Sequence, residues 1–101
     1  MFVCNSASAI SIYLPSVDSS YVGAKCGFIN VGSGSLTINA NDSDTIAESS
    51  AGGYIKTSQA DATIVLQLAT DTKWCVLNYV GNWVLDSGIF DLNYISLMLS
   101  L

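Results

Sequence analysis

The chain has 101 residues, 50% of them hydrophobic and only 11% charged, which excludes a disordered segment. Three Lys and no Arg stand against eight acidic residues, a net charge of −5 that argues against binding phosphate-rich nucleic acid. The absence of His removes Ser-His-Asp and Cys-His nucleophilic sites, His-ligated zinc and the commonest general base.

Up to residue 88, apolar runs are short, rich in Val, Ile, Thr, Tyr and Trp, and bounded by Gly, Ser, Asn and Asp. These are strand and turn signals. They predict strands over 2–5, 9–14, 25–31, 35–40, 45–46, 53–58, 62–69, 73–80 and 82–86. Pro15 ends the second, because proline has no N–H for a ladder. Gly32-Ser33-Gly34 and Gly81-Asn82 read as hairpin turns, and Asn41-Asp42-Ser43-Asp44 and Asp71-Thr72 as polar turns. Alternation puts Ile10, Ile12 and Leu14 on one face, Leu36, Ile38 and Ala40 on another, then Ile64, Leu66 and Leu68, then Cys75, Leu77 and Tyr79. Eight to ten short strands at this spacing indicate an all-β fold, an antiparallel β-sandwich or barrel. Residues 1–88 read as one β-rich unit.

Residues 89–101 differ. Ile95, Leu97, Leu99 and Leu101 form one wholly apolar strand face, and Phe90, Leu92, Tyr94 and Met98 fill the other. A strand apolar on both faces must be buried on both; a short helix is the alternative, since Leu92, Ile95 and Leu99 also fit helical spacing. The segment either completes the chain's own core or is an oligomer interface formed by Ile95, Leu97, Leu99 and Leu101. At 13 residues, and broken by Asp91, Asn93, Ser96 and Ser100, it falls short of the roughly 20 of a spanning helix, so no membrane insertion is expected. Met1 leads directly into a strand pattern, as in a cut-out domain or a separately started one, with nothing resembling a signal peptide.

The order of these signals resembles a small β-rich module of bacteriophage tail fibres, tailspikes and tail-tip or head-fibre knobs. The residues that carry the resemblance run from Ser8-Ala9 to Leu14-Pro15, then Ile29-Asn30-Val31-Gly32-Ser33-Gly34 and Leu36-Thr37-Ile38-Asn39-Ala40, then Asp44-Thr45-Ile46 and Thr72-Lys73-Trp74. They span most of residues 3–86. Cys26 stands where the family often has a large apolar residue, and residues after 88 have no counterpart in it. The resemblance implies a non-enzymatic virion structural protein, a trimeric fibre, spike or knob module assembled in the host cytoplasm. It implies a homotrimer among other virion proteins, with host attachment, and a host surface glycan as a further partner.

Candidate sites are few. Cys4, Cys26 and Cys75 lack CxxC spacing and are expected as buried thiols, in keeping with a reducing cytosol. Asn41–Asp44 clusters oxygen ligands without the Gly and Glu of an EF-hand loop, so a solvated turn is expected and no metal. Asp44-Thr45 and Asp71-Thr72 lack the following Gly of small aspartic proteases, and Glu48 is the only Glu, so no catalytic pair and no cofactor are expected. Aromatic side chains offer an apolar face with a polar tip, suited to sugars. Trp83, Tyr54 and Tyr21 are the candidates for receptor or glycan contact, and Trp74 is expected in the core. A monomeric carbohydrate-binding module using these aromatics is the alternative function.

Overall fold

The structure is a computed structural model and describes residues 1–90. It is all-β, with ten strands among the described residues: β1 (Phe2–Cys4), β2 (Ile10–Tyr13), β3 (Lys25–Asn30), β4 (Leu36–Asn39), β5 (Thr45–Ile46), β6 (Tyr54–Thr57), β7 (Ala62–Leu68), β8 (Lys73–Val80), β9 (Trp83–Leu85) and β10 (Gly88–Phe90). All nine strands expected from the sequence are present, most trimmed by a residue at one or both ends. β10 spans the expected boundary at residue 88. Ile95, Leu97, Leu99 and Leu101, and with them the choice between strand and helix, lie outside the described residues.

The strands form two five-stranded sheets, ordered β1-β3-β7-β8-β5 and β10-β9-β6-β4-β2. Both are mixed rather than antiparallel: β1 runs parallel to β3, β2 to β4 and β5 to β8. The early chain accounts for the first two pairs. It alternates between sheets from β1 to β4, and each crossing reverses its direction. Two crossings restore it, so β1 and β3 align, as do β2 and β4. The same alternation corrects two turn assignments. Gly32-Ser33-Gly34 carries the chain from β3 in one sheet to β4 in the other, and Gly81-Asn82 does the same between β8 and β9. Neither closes a hairpin. Asp71-Thr72 does, between the antiparallel β7 and β8.

One core serves both sheets. Phe28, Ile64, Leu66, Leu68 and Trp74 of the first sheet cluster with Leu36, Ile38, Ile55, Trp83, Leu85 and Phe90 of the second. Strand β7 shows the period-2 rule cleanly, with Ala62, Ile64, Leu66 and Leu68 buried and the residues between them half-buried. Strand β8 breaks it. A bulge between Val65 and Leu66 pairs Val65 with Asn78 but Leu66 with Val76, leaving Leu77 as the extra residue. Leu77 is exposed, while Tyr79 packs edge-on against Phe90, ring centroids 5.2 Å apart. Cys75, Leu77 and Tyr79 therefore do not share one buried face.

Register defines two ends. Asn30 pairs with Ala62 and Thr63 with Val80 at one end of the first sheet; Lys25 pairs with Gln67 and Leu68 with Trp74 at the other.

Candidate interaction site

The end at Asn30 is closed by hydrogen bonds. The buried Asn30 amide donates to the carbonyls of Gly34 at 3.0 Å and Gln59 at 3.3 Å, while its own main-chain carbonyl accepts from the Asp61 N–H. Thr57 Oγ1 donates to the Asn82 carbonyl at 2.7 Å, and Gln59 Oε1 accepts from the Asn82 N–H at 3.0 Å. Trp83, 1% exposed, donates its indole N–H to the carbonyls of Thr63 and Val80 at 3.1 and 3.2 Å. The glycines serve close approach. A Cβ on Gly32 would overlap the carbonyl oxygen of Ser6, and one on Gly34 that of Ser8. The Asn-Val-Gly-Ser-Gly stretch thus lets the 5–9 and 31–35 segments lie backbone against backbone.

The end at Trp74 is open. An apolar cleft of about 530 Å³ lies there, walled by Phe2 of β1, Ile12 and Tyr13 of β2, Cys26 and Phe28 of β3 and Trp74 of β8. Phe2 stacks on Phe28 with ring centroids 5.5 Å apart, yet remains 61% exposed; Tyr13 is 74% exposed. Among the described residues that wall it, Lys25 is the one charged residue and none is a carboxylate. A smaller hollow of about 330 Å³, bounded by Met1, Gly27 and Val65, shares Phe2, Lys25 and Cys26 with the cleft. Strands β1 and β2 each end their sheet, so the cleft sits beside two strand edges. Trp74 is 4% exposed, and its indole N–H is buried without a hydrogen-bond partner among the described residues. A buried donor left unpaired is costly, and native structures seldom leave one.

The aromatic candidates separate. Trp83 is a core residue, not a rim residue, because its indole bridges the sheets at the closed end; it presents no face to a glycan. Tyr54 is half-buried at the start of β6. Tyr21 is exposed in a 3-10 turn, Ser19–Tyr21, capped by Asp18. Neither tyrosine lines the cleft. Trp74 is buried as expected, but nothing in the sequence signals its position in the cleft wall.

The remaining candidates fall out as follows. Cys4, Cys26 and Cys75 are free thiols, Cys4 buried and the others half-buried. Burial pushes the Cys4 and Cys26 thiols up, so both stay protonated and weakly nucleophilic at neutral pH. Asn41–Asp44 is a tight turn closed by the Asp44 N–H on the Asn41 carbonyl at 2.7 Å, with Asp44 itself buried rather than solvated. Among the described residues, no group of three or more Cys, Asp or Glu is placed to hold a metal ion. No helix among them is long and apolar enough to cross a membrane. The cleft offers a concave, mostly apolar surface beside two strand edges. Compared with known proteins, the chain matches no family model, no curated protein and no solved structure.

Proposed function

We propose that this chain is a non-enzymatic bacteriophage virion structural protein, a trimeric fibre, spike or knob module. In this reading the two sheets form a β-sandwich body that assembles with two identical copies in the host cytoplasm. It joins other virion proteins and contributes to virion architecture and host attachment. The observation that carries the reading is the open end. Among the described residues Phe2 and Tyr13 stay exposed in front of the cleft, and exposed contiguous apolar surface marks an interaction site. The closed end adds support, because Asn30, Gly32 and Gly34, which carry the family resemblance, have there a definite architectural role. The carbohydrate-binding alternative is weaker, since it loses Trp83 and retains two tyrosines without a shared cleft.

Light scattering on a size-exclusion column tests the reading. A stable mass near three times 10.6 kDa is expected. Leu97→Asp should abolish assembly, because an unpaired charge buried at an interface costs several kcal/mol, on the order of 3–5. A monomer at all concentrations would contradict the trimer. A trimer indifferent to Leu97→Asp would remove residues 89–101 from the interface.

A further inference from the structure

We infer that the open-end cleft is the receiving groove for segment 92–101 of a neighbouring copy, an inference that rests on the trimer reading above. The groove and the segment match in chemistry. The cleft is apolar with one cation, and the ten residues after Asp91 carry no charged side chain while seven of them are Leu, Ile, Met or Tyr. A strand entering beside β1 and β2 meets two sheet edges whose outer hydrogen-bonding groups serve as a template.

Topology says whose segment it is. Phe90 pairs with Trp83 at the closed end, on the sheet edge opposite β2. The cleft is at the open end, beside β2. Four strand spacings of about 4.8 Å and roughly 13 Å of strand length put about 23 Å between them. Crossing that gap within one chain consumes about seven extended residues of the eleven after Phe90. Ile95 and Leu97 would be spent on the path, and only the last few residues would arrive. A neighbouring copy removes that constraint and delivers Ile95, Leu97, Leu99 and Leu101 together. Such a contact is heterologous, segment into groove, and three of them close a ring.

The full-length chain carries the test. Tyr13→Asp alters an aromatic side chain of the groove that is 74% exposed and should leave the melting temperature of the isolated chain unchanged. It should raise the concentration at which the trimer forms by tenfold or more. Leu77→Asp, also apolar and exposed but outside the groove, should not. Cys26 in the groove wall supplies a reporter. With Cys4→Ala and Cys75→Ser in place, Leu97→Cys and diamide at alkaline pH should join position 97 of one chain to Cys26 of another. A trimer that ignores Tyr13→Asp would overturn the groove while leaving the trimer intact. A crosslink confined to single chains would overturn the neighbouring copy as occupant. A wild-type chain that stays monomeric would end both the inference and the reading beneath it.

Discussion

Trp83 and Trp74 are buried almost equally, at 1% and 4% exposure, but their surroundings differ in kind. Trp83 sits at the closed end and gives its indole N–H to two carbonyls, one of them on β7 of the facing sheet. Around it Asn30, Thr57, Gln59 and Asn82 saturate the loop carbonyls and amides. Trp74 sits at the other end, its N–H without a partner among the described residues, against a cleft whose outer walls, Phe2 and Tyr13, are exposed. One end is finished within the chain. The other keeps apolar surface exposed at Phe2 and Tyr13. On the reading proposed above, the first end serves stability and the second association.

The largest effect should come from forcing open the closed end. Gly34→Ala sets a methyl against the Ser8 carbonyl, so either the Gly34 backbone strains its bond from Asn30 or the two segments part and lose the Gly34 N–H bond to the Ser6 carbonyl. A loss of roughly 3 kcal/mol is expected in urea unfolding. A loss under about 0.5 kcal/mol, the scale of a neutral surface change, would mean that the two segments are not held together. Next comes the tryptophan pair. Trp83→Phe leaves the Thr63 and Val80 carbonyls without their donor, whereas Trp74→Phe removes a donor that has no partner among the described residues. Both lose similar volume, so Trp83→Phe should cost about 1–2 kcal/mol more than Trp74→Phe. Equal costs would erase the contrast between the ends.

The smallest effect lies in the exposed turn before β3. The hydroxyl and main-chain N–H of Ser20 hold the Asp18 carboxyl below the usual carboxylate range. Its folded value is the lower one, so its contribution is fully present above the ordinary Asp value. The contribution fades as pH falls through the depressed one. Carboxyl NMR should find Asp18 titrating below an ordinary Asp, and Ser20→Ala should return it toward that value.

The strands are legible in the sequence because each strand signal is local. Alternation in Ala62–Leu68 and the breakers around it need no tertiary information. Sheet membership is not legible. Gly-rich chemistry at Gly32-Ser33-Gly34 serves a hairpin and a crossing between sheets alike, and only the clasp of Asn30 on Gly34 tells which one forms. The same ambiguity makes two mixed sheets read as antiparallel ones. The bulge at Leu77 hides the change of face along β8. Trp83 departs from its expected place for the same reason as the Gly81-Asn82 turn: a residue after a hairpin turn can sit on a rim, but one that begins a strand in the facing sheet points into the core. The cleft has no sequence signature at all, since Phe2, Tyr13, Cys26, Phe28 and Trp74 meet only when two sheets are stacked.

The contrast between the ends can be read from two protons. Nitrogen-15 spectra of the indole groups, recorded across the monomer-to-trimer range, report Trp74 and Trp83 separately. If the open end is where copies join, the Trp74 N–H shifts and gains protection from exchange as the trimer forms, while Trp83 stays fixed. A trimer in which Trp74 is unmoved, or in which both indoles move alike, would contradict it.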